Sequence, residues 1–464
     1  MQRELVIAAG PGEWRAALLE AGVPVELFVE RGDRAEIGSI HLGRVVRVVS
    51  GLDAAIVDIA EERPGFLPQS AIVPRGKRLH EGERVLVQIR REAQDGKAAR
   101  LTMAVSLRGR HVDMILGRPG LEGSELLPQH ERDELLAALG TFIRPRIPVR
   151  GGSGENVTGL RIREAEPLTK LVAEMARLVE RRQEILDHTA RLDPPARIDP
   201  VGSFAAALAA AVPGAPGRII VDEPGAVPEI RAAFAAAIVQ HLPDTEWPAD
   251  LDGSFAEALS DMVALPGGGS AHFEATRAGA LIDVDSGTPE TGSAERIGLA
   301  TNLAAAAAIA RQLRLRNLGG GIVIDFVGLD ARLSREKVRA RLATMLLTDP
   351  AGPQILGWTR LGHLEVVRPR RRRPLAEALL EQRPGGARIK TAITVAHEAL
   401  RTLRREARAL PGRQWRLTVA PDVAAALTGS AASAVQQAEQ RFARHIAVSI
   451  DRGRQRERFQ IAPL

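Results

Sequence analysis

In the run Ala280-Leu281-Ile282-Asp283-Val284-Asp285, the period of two along a strand sets Asp283 and Asp285 on one face. Two carboxylates so placed repel each other unless a cation or a hydrogen-bond network compensates. A third, Asp325, interrupts the otherwise apolar run Gly321-Ile322-Val323-Ile324-Asp325-Phe326-Val327, where burial without a partner is expensive. If the two strands are neighbours, three carboxylates converge. Hard oxygen donors with no His or Cys nearby favour Mg²⁺, with Mn²⁺ as the alternative. Such an ion activates a water and stabilises charge on a phosphodiester. The competing reading is that these carboxylates cap turns at strand ends. A second chemical feature is the cluster Arg370-Arg371-Arg372-Arg373, whose guanidinium forks match phosphate oxygens; its alternative is a solvated basic loop. Gly319-Gly320-Gly321 follows a helix and precedes a strand, so it reads as a connector and not a phosphate cradle. No Ser/His/Asp triad can be argued from ten scattered His.

The elements that must position these groups are legible in outline. Strands are expected over Ala280–Asp285 and Ile322–Val327, with a long helix, Asn302–Arg316, between them. This helix is Ala-rich at first and carries Arg311, Arg314 and Arg316 near its end. A strand, a helix and a buried strand in succession indicate α/β structure. Toward the N-terminus, short strands over Ile40–Val49, Ala54–Ile59, Arg84–Arg91 and Ala99–Leu107, separated by turn signals, suggest a small closed barrel. Leu168–Leu186 has helical spacing of Leu171, Met175, Leu178 and Ile185, with Arg177, Arg181 and Arg182 as charged positions around that stripe. Phe204–Val212 reads as a helix, Arg218–Asp222 as a strand and Ile230–Ile238 as a helix. The final stretch, from Lys390, reads as a small α/β unit: helix Thr391–Arg408, strand Trp415–Val419, helix Ala431–His445.

Composition narrows the classes. The 464 residues allow roughly three domains. Net charge is +6, and the sequence pI of 10.4 owes much to an Arg-rich, Lys-poor chain without Tyr or Cys. That charge suits a nucleic-acid partner without arguing strongly for one. The absence of Cys excludes disulfides, thiolate zinc sites, iron–sulfur clusters and a Cys nucleophile. No apolar run approaches the ~20 residues of a membrane span, and no secretory signal is evident at the N-terminus, so a soluble, cytoplasmic protein is expected.

The runs Ile282-Asp283-Val284-Asp285-Ser286-Gly287, Thr301-Asn302-Leu303, Ala310-Arg311-Gln312-Leu313-Arg314-Leu315-Arg316-Asn317-Leu318-Gly319-Gly320 and Ile322-Val323-Ile324-Asp325-Phe326 resemble the catalytic core of the bacterial ribonuclease E/G family. Gly43-Arg44-Val45, Gly51 to Asp58 and Gly65-Phe66-Leu67-Pro68 look like that family's inserted RNA-binding OB-fold. Leu265-Pro266 to Ser270 and Leu361 to Glu365 also match. The resemblance implies an α/β multidomain architecture of RNase H-like and DNase I-like parts, an OB-fold, a 5′-sensor and a small C-terminal domain. The expected boundaries are 1–35, 36–112, 113–200, 201–270, 271–385 and 386–464. It also implies a Mg²⁺-dependent endoribonuclease cutting single-stranded RNA, with rRNA precursors and mRNA as substrates. Asp283 and Asp325 take the metal-binding positions, and Asp285 stands where the family usually has an orienting Asn. The RNA contacts implied are Phe66, Arg163, Arg311, Arg314, Arg316, Arg370 and Arg371. Phe66 offers a ring for base stacking, whereas Ile56 replaces the family's second aromatic. Arg163 matches the 5′-phosphate pocket, with Glu164 where Thr is usual. Without Cys, the family's zinc link between protomers is closed, so no zinc is expected and any homodimer forms without it. The chain ends soon after the small domain, which favours the compact, ribonuclease G-like type. The functional alternative is a non-cleaving RNA-binding protein of the same fold that assists rRNA maturation.

Overall fold

The computed structural model describes residues 3–31, 38–61, 63–91, 98–109, 111–122, 127–142, 158–162, 166–198, 204–214, 216–234, 236–276, 278–287, 293–383 and 386–464. The chain divides into two compact units, Asp33–Ala210 and a unit made of Met1–Gly32 with Ala211–Leu464.

The Asp33–Ala210 unit holds a closed five-stranded barrel. Ile40–Val49 pairs with Ala54–Asp58, then Gly65–Pro68, Arg100–Thr102 and Arg84–Arg91, which returns to Ile40–Val49. Alternating residues Val45, Val57, Leu67, Val85, Val87, Ile89 and Leu101 fill its interior. The expected single strand over Ala99–Leu107 is two pieces, Arg100–Thr102 and Ser106–Arg108. The second piece joins a four-stranded sheet with Val112–Leu116, Thr158–Ile162 and Leu121–Glu122. Helix Leu168–Arg191 packs here through the anticipated stripe of Leu171, Met175, Leu178 and Ile185. Arg182 differs from the expected charged face: it is buried, and desolvation pulls its guanidinium below the ordinary value.

The other unit contains two larger sheets and a small C-terminal layer. The first sheet runs Ile238–His241, Arg218–Val221, Arg3–Ala9, Glu13–Glu20, Val23–Arg31, with the first three strands parallel. Ile238 therefore starts a strand; the preceding helix is shorter than expected and ends at Ala233. The second sheet runs Met262–Ala264, Ser270–Ala275, Gly279–Asp285, Gly320–Asp325, Leu364–Arg368, Gln354–Trp358. Helices Ala294–Leu315 and Arg332–Leu346 cover one face, where Ile282, Val284, Ile322, Ile324, Leu364 and Val366 meet Ala305, Ala306, Ile309, Leu313, Val338 and Leu342. The intervening residues, among them Leu281, Asp283, Asp285, Asp325 and Glu365, point to the exposed opposite face. C-terminally, helices Ala392–Ala409, Pro421–Thr428 and Ala432–Phe442 pack on strands Ile446–Ile450, Trp415–Val419 and Gln460–Pro463.

Candidate active site

The central strands of the second sheet are parallel and in register, with Ile282 opposite Ile324 and Asp283 opposite Asp325. Close approach depends on glycine at the other end of the pair. A Cβ on Gly279 would lie 1.6 Å from the Gly321 carbonyl, and Gly320 has φ +102°. The Gly-rich run after the helix is therefore a connector that also lets the strand begin tightly against its neighbour. At the carboxylate end, buried Asn302 clamps the chain after Asp325. Its Nδ2 donates to the Val327 carbonyl (2.7 Å) and its Oδ1 accepts from the Val327 amide (3.0 Å). The residues Thr301-Asn302 were legible as a motif, but this positioning role needed the fold.

The expected convergence of three carboxylates reduces to a pair. Asp283 and Asp325 lie side by side, while Asp285 sits two residues further along, and its Oδ1 accepts from the Gly287 amide at 2.8 Å. The turn-capping alternative thus describes Asp285. Among the described residues no group of three or more His or acidic side chains forms a ready-made metal cage. The expectation that no His stands nearby is overturned by the register. His272 is directly opposite Asp283 on the adjacent antiparallel strand. His363, one residue beyond the Ile324–Leu364 pair, places Nε2 3.5 Å from Asp325 Oδ2. Its turn is fixed by the Thr359 amide donating to the His363 carbonyl (2.8 Å) and the His363 amide donating to Thr359 Oγ1 (3.1 Å). No Arg or Lys pairs with Asp283 or Asp325 among the described residues. Two exposed carboxylates without an Arg or Lys partner suit a divalent cation of the weakly caged kind, which keeps several waters and takes one or two carboxylates.

Three of the expected RNA contacts prove to be structural. Arg311 forks onto Glu257 (2.5 and 3.0 Å) and donates to the Pro24 carbonyl. Arg314 is buried and bridges Glu20 (3.0 Å) and Glu26 (3.1 Å). Burial opposes its charge, but the two carboxylates outweigh burial and raise its pKa. Arg316 is buried over the Phe273 ring and donates to Gln312 and to the Glu257 and Ser260 carbonyls; burial lowers it to about 10. These residues fasten the helix behind the carboxylates to Val23–Arg31 and to helix Leu251–Leu259, and leave no guanidinium free for phosphate. In the Arg cluster, Arg372 is likewise structural, stacked on Phe28 and paired with Glu26. Arg370 and Arg371 are exposed, with Arg370 Nε donating to the Gly319 carbonyl. They lie at the end of the Gly320–Asp325 strand away from Asp325.

On the barrel, Phe66 is half-buried and directly opposite Ile56. Ile56 pairs in turn with Arg47, and Phe66 with Arg100, both exposed. The sequence reading missed these two arginines, because only the register sets them in one row with the ring. Arg163 and Glu164 lie outside the described residues.

A family model described as the Ribonuclease E/G family matches residues 154–371. The chain is 27% identical to Ribonuclease G of Escherichia coli, over 99% of both proteins. It is 28% identical to Ribonuclease G of Haemophilus influenzae, over 90% of this chain and 91% of that protein. With Ribonuclease E of Synechocystis sp. it shares 31% identity over 76% of this chain and 55% of the relative. With full-length relatives of this kind and the paired carboxylates on its open sheet, the chain belongs to the ribonuclease E/G family, as a ribonuclease G-like member.

Proposed function

We propose that the protein is a metal-dependent endoribonuclease that cuts single-stranded RNA, in rRNA processing and mRNA turnover. The observation that carries this reading is the in-register pair Asp283 and Asp325 on the open face of a sheet whose other face is packed. These two residues would hold Mg²⁺ or Mn²⁺, which when bound supplies an activated water and stabilises charge on the scissile phosphate. The chain's own contribution is rigidity and charge. The clamp from Asn302 and the packed helix behind the sheet hold the carboxylates in place before substrate arrives. Arg370 and Arg371 add exposed positive charge on the same sheet's connecting segment. On the barrel, the Phe66 ring offers a stacking platform between Arg47 and Arg100, a combination that suits single-stranded nucleic acid without sequence preference. No described helix is long and apolar enough to cross a membrane, and we place the activity in the cytoplasm.

The test is incubation of the purified chain with a fluorescent single-stranded RNA, with and without Mg²⁺. Cleavage that needs Mg²⁺ and leaves a 5′-phosphate on the downstream product is expected. RNA bound but left intact at all Mg²⁺ and Mn²⁺ concentrations would refute the reading in favour of a non-cleaving RNA-binding protein.

A further inference from the structure

The register that pairs the two carboxylates also extends beyond them. Across three adjacent strands and the turn that leads into Leu364–Arg368, the open face presents His272, Asp283, Asp325 and His363 in one row. Strands are about 4.8 Å apart, so each carboxylate has the other on one side and an imidazole on its outer side. The contact between His363 Nε2 and Asp325 Oδ2, at 3.5 Å, is too long for an N–H···O hydrogen bond. It is close to the separation of two donors sharing one ion, since bonds of ~2.1 Å at tetrahedral or right angles set donors ~3.0–3.4 Å apart. Neither ring nitrogen of His363 has a hydrogen-bond partner among the described residues. His272 uses Nε2 toward Ser270 Oγ at 3.1 Å, which leaves Nδ1.

We propose that this row is a mixed imidazole–carboxylate site that selects Mn²⁺ over Mg²⁺, with His363 as the nitrogen donor beside Asp325 and His272 supporting the Asp283 flank. The proposal rests on the reading that Asp283 and Asp325 hold a divalent cation. Mg²⁺ takes oxygen donors and retains its waters, so a neighbouring imidazole adds little to its binding. Mn²⁺ shares the carboxylate and water preference of Mg²⁺ but, as a transition-metal ion, takes an imidazole nitrogen more readily than Mg²⁺ does, so the same imidazole raises its affinity selectively. No three donors form a ready-made cage among the described residues, so the ion held by Asp283 and Asp325 gains His363 as a flanking donor beside Asp325. Its remaining positions are left to water or phosphate.

Binding is read directly, without RNA and without an activity measurement. Mn²⁺ is titrated into the full chain and followed by its electron paramagnetic resonance signal, with Mg²⁺ as competitor. The proteins are wild type, His363→Leu, His272→Val and the Asp283→Asn/Asp325→Asn double variant. Wild type is expected to bind Mn²⁺ at least tenfold more tightly than Mg²⁺. His363→Leu is expected to lose at least threefold in Mn²⁺ affinity, with Mg²⁺ affinity changed less than twofold. The His272→Val loss is expected to be smaller and in the same direction. The double Asn variant is expected to lose both ions. Should His363→Leu fold poorly, His363→Gln, which keeps a polar side chain without the imidazole, carries the same expectation. A Mn²⁺ loss below threefold on removing the imidazole overturns the proposal and leaves the nuclease reading intact. Unchanged Mn²⁺ binding in the double Asn variant overturns both, since the ion then sits elsewhere.

Discussion

Replacing Asp283 by Asn should make the protein slightly more stable and inactive at once. Asp283 and Asp325 are opposite one another on adjacent strands, so their carboxylates lie ~5 Å apart. Both face solvent, and the high-dielectric limit applies: 332/(80 × 5) gives a repulsion of about 0.8 kcal/mol. The Asn variant keeps the shape and loses this term. In EDTA at low salt, the expected gain is about 0.8 kcal/mol, or ~2 °C in Tm for a unit of this size. Mg²⁺ should reverse the order. A ligand present at 100 times its Kd stabilises wild type by about 2.7 kcal/mol, whereas the variant has lost half of the carboxylate pair. All four Trp, at 14, 247, 358 and 415, lie in the unit that contains the site, so Trp fluorescence melts report on it directly. Cleavage of single-stranded RNA by the variant should fall at least ~100-fold, in line with losing a principal source of transition-state stabilisation. The reasoning is refuted if Asp283→Asn melts below wild type in EDTA, or if Mg²⁺ raises both Tm values equally.

Arg314→Met should take from Glu20 and Glu26 the cation they share and destabilise the protein, by less than the ~3–5 kcal/mol of a fully unpaired buried charge, because Arg3 remains beside Glu20 and Arg372 beside Glu26. RNA affinity measured at 10 °C should stay within twofold; a large loss of affinity at unchanged stability would restore Arg314 as an RNA contact. Phe66→Ala should weaken single-stranded RNA binding by about 1–2 kcal/mol, roughly 5- to 30-fold, and Ile56→Phe should strengthen it, both readable by fluorescence anisotropy with no change in Mn²⁺ binding. His41 is buried, bonded to Ser39 and the Ile59 carbonyl, and burial lowers its pKa from 6.5 to about 4. The folded barrel therefore favours the neutral ring. The stabilisation is complete above pH ~6.5 and is lost as pH falls toward 4, an expected loss of about 3 kcal/mol. Urea unfolding read by pulse proteolysis at pH 7.5 and 4.5 checks this, and His41→Gln should flatten the difference.

Where one face of an element was apolar and the other polar, the sequence reading was close. Ile40–Val49, Arg84–Arg91 and Trp415–Val419 have their expected bounds. The strand carrying Asp283 differs by one residue. The strands Arg3–Ala9, Glu13–Glu20 and Val23–Arg31 were not anticipated, because their pattern does not alternate. Glu13, Arg15, Glu26 and Arg31 are buried alongside the apolar residues, and their charges are tolerable because they pair with one another across the sheet and with partners such as Arg401 and Arg314 from elsewhere in the chain. The helix behind the site begins at Ala294, well before Asn302, with Ser293 Oγ accepting from the Arg296 amide. Gly298 within that first stretch hid the helical start. The carboxylate pair was legible because strand period and type fix it locally. The imidazoles were not, since His272 and His363 come from other strands and meet the pair only through register. The three helix arginines looked like phosphate contacts for the converse reason: their partners lie on other elements, 54 residues away for Arg311 and more than 280 for Arg314.

The sheet that receives those partners is interrupted in the chain. Arg3–Ala9 finds its parallel neighbour in Arg218–Val221, which follows the whole of Asp33–Ala210 in the sequence. During synthesis at ~5–20 residues per second, the N-terminal strands wait roughly 10–40 s before that neighbour has been made. Throughout this interval Leu5, Val6 and Ile7 belong to an unpaired strand edge, the kind of surface that recruits other chains. The partner Arg314 comes later still, so Glu20 and Glu26 lack the cation they share until most of the chain exists. Early premature burial of that edge is thereby opposed by the same carboxylates that later lock the sheet, and a nascent chain stalled before residue 218 should be the species most prone to aggregate.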